Sequence, residues 1–492
     1  MATLRAAQRT LLPALLLLAG LHSASAALIR PLFQVSDEIT YVASLQRTVL
    51  AAPHEAVLAP CLSPPDGAPP PMMPAGGKWL FHATGSRLLL AACAGGAGPM
   101  APVWLRLVFS LTLPVIAWAA WHSARLLAGG TWAPAVAALA VATQPVLAKY
   151  AGAVTPDSLA NACAALAITL ALRTLVLGPT PWRVLALLVW TGLAAAIKDS
   201  TLFLVPLHGL VLAASLLRRG DDGHRRTHAR PVAAAGVIVA IGLAALTRTR
   251  YEVGPGVGRA VEAPITFVSR VASDALAQVW SLLASAWTSL GGFGAMSAPL
   301  PTAAVVVVVI LSAATMAGLM QVAAAPGRVA LRRVGWYLAL AVMACLLQAP
   351  VRQVLLGTVD LHQGRWLFPV TVPVAVAAAL GLQRVLGRQA ARTWPLLAMA
   401  GLLLMALPWL SVTQWHVLDP AWGLDRPHLF LFSTGGLDVD PGRVQSIILN
   451  AWPAARGAVL ALAAATVVCL ALLLGSGPVP ESPTHVRHAD HR

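Results

Sequence analysis

Apolar stretches of membrane-spanning length recur along this chain from residue 11 to residue 474. As helix, a crossing of the hydrocarbon core takes roughly 17–25 residues. About twelve stretches meet that requirement, near 11–29, 101–123, 132–148, 158–176, 184–197, 201–217, 231–247, 301–324, 334–349, 366–383, 394–412 and 454–474. Pro114, Pro145, Pro206 and Pro373 fall inside several of them. The expected fold is an all-α polytopic membrane protein with about 12 transmembrane helices, outer-face loops and interfacial helices. With 58% hydrophobic and 11% charged residues the composition excludes a soluble globular domain.

The net charge of +16 then reads as a topology signal, because short cytoplasmic loops retain Lys and Arg. Threading the spans with the N-terminus inside puts 18 of the 34 basic residues in the cytoplasm, Arg218, Arg219, Arg225, Arg226 and Arg230 among them. Only four of the 18 acids, Asp221, Asp222, Glu481 and Asp490, join them there. A nucleic-acid footprint is therefore not needed to explain the basic balance. The first span also has signal-peptide features: Arg5 and Arg9 precede Leu11–Leu18, and Ala24-Ser25-Ala26 closes it. Cleaved or not, it leaves residue 30 starting on the outer side.

The expected layout follows. Residues 1–29 form the first span or signal-anchor, 30–100 a first outer loop, and 101–247 spans two to seven. Residues 248–300 form an outer loop with an interfacial helix carrying Trp280 and Trp287 on one face, and 301–412 spans eight to eleven. A further outer loop, 413–453, precedes the last span, 454–474, and a disordered cytoplasmic tail, 475–492. Within 30–100, helix is expected through Tyr41–Ala51, then a Pro-rich loop, then an apolar piece over 87–98 too short to span. Cys61 and Cys93 share that outer loop and can pair in an oxidising compartment; Cys163, Cys345 and Cys469 read as small packing residues.

Polar groups concentrate where the spans meet the outer boundary. Asp37 and Glu38, the first acids in the chain, follow span one. Pro156-Asp157-Ser158 opens span four, where an acid suits a helix start. Lys198-Asp199-Ser200 is a tight turn between spans five and six, open to a mutual ion pair or to function. Gln363-Gly364-Arg365 precedes span ten. Arg106, near the outer end of span two, is expected to snorkel. A transporter would place such groups near the midplane of internal repeats; their collection at one boundary favours an outward-facing enzyme. Transfer from a lipid phosphate needs a fixed cation for the leaving group, for which Arg365 is the choice and Lys198 a second. It also needs a carboxylate to take the acceptor's proton, with Asp37 first and Glu38 its partner in orienting, binding sugar or holding a metal. Asp157, Asp199 and Gln363 are substrate-binding or structural candidates.

Phe33-Gln34-x-x-Asp37-Glu38, Pro156-Asp157, Lys198-Asp199, Phe293-Gly294 and Gln363-Gly364-Arg365, in that order, resemble a bacterial family of predicted membrane proteins of no assigned function. That family is similar to the GT-C superfamily of membrane glycosyltransferases. The resemblance runs over roughly 30–385, in motifs of two to four residues. It implies a GT-C-like fold and a sugar donor carried on a polyprenyl phosphate. The base would be an acid of the first outer loop, which maps onto Asp37, and a divalent cation serves some members and not others. Trp366 stands where that family usually has Tyr, and Ser36 where Pro is common; both leave the chemical groups in place. The expectation is a glycosyltransferase of the bacterial inner membrane, both termini cytoplasmic, acting in cell-envelope glycan or lipid modification on a lipid or glycan acceptor. The alternatives are a lipid-linked oligosaccharide flippase or other transporter, and a non-catalytic assembly partner.

Overall fold

The computed structural model describes residues 2–29, 38–50, 79–97, 100–128, 130, 132–216, 313–320, 329–356, 364–389, 392–401, 405, 464–469 and 471. Among these the chain is helical, with no strand. The helices are α1 (Ala2–Ile29), α2 (Glu38–Leu50), α3 (Trp79–Ala94), α4 (Ala101–Ser110), α5 (Thr112–Leu127), α6 (Trp132–Ala142), α7 (Pro145–Ala151), α8 (Pro156–Leu177), α9 (Pro181–Ile197), α10 (Leu204–Leu216), α11 (Val329–Leu356) and α12 (Thr371–Leu386). Short 3₁₀ segments cover Asp199–Thr201, Gly364–Val370 and Gly387–Gln389.

Five helices are long and apolar enough to cross a membrane: Thr10–Leu28, Ala101–Leu127, Pro156–Leu177, Leu331–Gln348 and Leu367–Leu386. The protein is a helical membrane protein on that ground. Trp132–Ala142, Pro181–Ile197 and Asp199–Ser215 are shorter apolar helices. The expected spans at 231–247 and in most of 301–324, 394–412 and 454–474 lie outside the described residues, as does the Trp280/Trp287 segment.

Lipid tails are as apolar as the side chains, so close contact and hydrogen bonds, rather than the hydrophobic effect, must hold such helices together. The centre of the bundle is accordingly rich in small residues. α5, α6 and α8 pack on one another, with α1, α9 and α12 around them. Ala117, Ala120, Ala124, Ala137, Ala160, Ala164, Ala167 and Ala171 are all buried there. The Ser123 and Thr169 hydroxyls meet 3.0 Å apart between α5 and α8. A second polar bridge joins three helices. The Thr191 hydroxyl donates to the Leu187 carbonyl (2.6 Å), so it accepts from His208 Nδ1 (2.7 Å). That leaves His208 Nε2 to accept from the Tyr337 hydroxyl at 2.9 Å, tying α10 to α9 and α11.

Three local expectations change. The third span does not run unbroken over 132–148: Thr143 and Gln144 interrupt it between α6 and α7. Pro145 excludes α-helical geometry at Gln144, whose backbone is extended (φ −73°, ψ 112°). The freed groups are satisfied locally. Gln144 Oε1 accepts from the Leu147 N–H (2.5 Å), and His22 Nδ1 of α1 donates to the Ala142 carbonyl (2.7 Å). The loop expected over 350–365 is still helix through Leu356. The apolar piece at 87–98 belongs to a helix that starts at Trp79 and packs inside, burying Phe81, Ser86, Leu89 and Cys93. Its companion in the first loop runs Glu38–Leu50, close to the expected Tyr41–Ala51.

Candidate functional site

The three acids among the described residues, Glu38, Asp157 and Asp199, stand at one end of the bundle, where α1 ends, α2 and α8 begin and α9 ends. The turn from α7 into α8 organises that end. Gly152 brings it against α1 so closely that a Cβ there would lie 2.6 Å from the Ser23 carbonyl oxygen and 2.9 Å from the Ala27 nitrogen. Thr155 is extended, and Pro156 starts α8 with its φ already suited to helix. The Ser158 hydroxyl donates to the Thr155 carbonyl at 2.7 Å. Asp157 thus falls in the first turn, at the positive end of the helix dipole.

Glu38 is fully buried. Its Oε1 accepts from Arg106 Nε (2.8 Å) and from the Val154 N–H (2.9 Å), while Oε2 pairs with Arg106 Nη2. Arg106 Nη1 donates to the Ala27 carbonyl at 3.1 Å. Arg106, expected to snorkel, is instead 1% exposed and locked into this cluster. The desolvation of two charges is offset here by a bidentate fork and two backbone bonds, the geometry that a buried pair requires.

Three residues beyond Val154, Asp157 forms an ion pair with Lys198 Nζ; their side chains are 2% and 8% exposed. Lys198 is extended (φ −152°, ψ 135°) just past α9, which frees its side chain to reach back across the α8–α9 hairpin. Asp199 follows in the 3₁₀ turn and is half-buried. The Gly364–Val370 segment, whose backbone includes Arg365, packs on both α8 and the Asp199–Thr201 turn. Its Phe368 ring lies 5.7 Å from the ring of Tyr150 in α7, beside the buried Lys149. Cys93 at the end of α3 is disulfide-bonded, Cys163, Cys345 and Cys469 are free, and Cys61 lies outside the described residues.

Of the residues singled out from sequence, Glu38, Asp157, Lys198, Asp199 and the backbone of Arg365 are thus gathered at one end. Asp37 and Gln363 lie outside the described residues. Glu38 and Asp157 are each committed to a cation, so neither presents a free carboxylate to a divalent ion, and no step below runs through one. No family model matches the chain, and no curated protein is significantly similar to it.

Proposed function

We propose that the protein is a membrane glycosyltransferase of GT-C type, moving a sugar from a polyprenyl-phosphate donor to an acceptor at the outer face of the bacterial inner membrane. The single observation that carries this reading is the convergence of buried charge at one end of an apolar bundle. Ionisable groups at membrane depth are costly and are kept for function or pairing. The opposite end supports the orientation: Arg125, Arg173, Arg183, Arg332, Arg333 and Arg384 lie there with no acid among the described residues, as a cytoplasmic side would have. A disulfide at Cys93 fits an oxidising outer compartment.

In the transfer, the acceptor hydroxyl gives its proton to Asp37 as its oxygen bonds to the anomeric carbon. The carbon–oxygen bond to phosphate breaks, and its electron pair leaves with the polyprenyl phosphate. Arg365 and Lys198 offset the charge that grows on the phosphate oxygens; an ammonium has three donors, so Lys198 serves Asp157 and a phosphate together. Glu38 and Asp157 hold this frame rather than react. Purified protein incubated with radiolabelled polyprenyl-phosphate sugars and bacterial lipid acceptors tests the proposal. Asp37→Asn should lower transfer by on the order of 10²-fold or more while the protein still folds. Near-normal transfer by that variant removes the base. Movement of lipid-linked sugar across vesicles without any covalent product would establish the transporter instead.

A further inference from the structure

Building on the transferase proposal, we infer that Arg106 and Glu38 are a positioning pair, whose task is to fix where residue 37 stands relative to α1 and the α7–α8 turn. Glu38 cannot serve as the proton acceptor itself. One carboxylate oxygen already receives two donors and the other receives a guanidinium N–H, with the residue wholly buried. A group so engaged favours its charged form and has no lone pair directed at an incoming hydroxyl.

The pair instead joins four pieces of chain that lie far apart in sequence. Arg106 belongs to α4, Glu38 opens α2, Ala27 closes α1 and Val154 lies in the turn before α8. Residue 37 precedes Glu38 directly, so its Cα lies about 3.8 Å away across a trans peptide. Any shift of Glu38 is carried into it. Arginine is required for this task because its planar fork reaches both carboxylate oxygens and the Ala27 carbonyl at once; a lysine supplies the charge without the geometry. A brace that served stability alone would not need that fork, since well-packed apolar residues often replace buried ion pairs at no loss.

The test separates the brace from the chemistry by using Asp37→Cys as a reporter of residue 37. The rate of labelling by a membrane-impermeant maleimide is measured in otherwise native protein and with Arg106→Lys or Glu38→Gln added. Unaltered protein serves as the blank; Cys163, Cys345 and Cys469 are buried. Arg106→Lys, which keeps the charge, should change the labelling rate at least fivefold while the monodisperse, helical fraction stays near the parent's. In the parent carrying Asp37, the same substitution should lower kcat at least tenfold with KM within threefold. Unchanged labelling in both folded variants refutes positioning whatever the transfer assay gives. Altered labelling alongside full transfer by Asp37→Asn leaves the positioning role standing and overturns the assignment of Asp37 as base.

Discussion

The Asp157–Lys198 pair makes a quantitative prediction. Both side chains are almost wholly out of water, so solvent screening, which holds exposed pairs to about 0–1 kcal/mol, gives no relief here. Lys198→Met leaves the Asp157 carboxylate buried without its cation, and Asp157→Asn leaves the ammonium without its anion. Each should cost about 3–5 kcal/mol. Asp157→Asn also forfeits the helix-dipole term in the first turn of α8, about 0.3–1 kcal/mol. The double variant removes both charges together with their desolvation, so it should lose only about 1–2 kcal/mol, the value of a hydrogen bond and the dipole term. The coupling between the two sites is then on the order of 3 kcal/mol. Unfolding of the purified protein in mixed micelles, followed by helical circular dichroism, gives the four free energies. The double variant should be more stable than either single one. If the losses simply add, with a coupling below about 1 kcal/mol, the pair is solvated and its burial is wrong.

Two further substitutions probe the frame around it. Gly152→Ala places a methyl against the α1 backbone, where no flexible side chain can yield; it should cost about 1–3 kcal/mol and Gly152→Val more, read as a fall in folded yield and thermal midpoint. Tyr337→Phe removes the hydroxyl that donates to His208 Nε2 and should cost about 1 kcal/mol while leaving sugar transfer within about twofold; a large loss of transfer would place this bridge in the chemistry.

The spans were legible because length and apolar content determine them locally. α8 and α9 begin within three residues of the expected starts at 158 and 184. The break at Thr143 and Gln144 was also written in the sequence, in the constraint that Pro145 puts on the residue before it. The pairings were not legible. Lys198 and Asp199 are neighbours in sequence and suggest a mutual pair, yet the antiparallel α8–α9 hairpin brings Lys198 to Asp157, 41 positions earlier. Arg106 and Glu38 are 68 positions apart, beyond any helical period. One signal could have marked Arg106: it is the single charge in the first 20 residues of an apolar stretch beginning at Ala101, too far in for an ordinary end anchor.

The order of the two ion pairs along the chain bears on how the protein is made. Translation runs from the N-terminus, so Glu38 leaves the ribosome before Arg106, and Asp157 before Lys198. Each cation reaches the bilayer when a carboxylate able to neutralise it has already been synthesised. An arginine entering lipid alone faces a penalty of at least about 2.5 kcal/mol at the membrane centre; with its counter-ion made first, the insertion of α4 and the capture of α2 can be a single event.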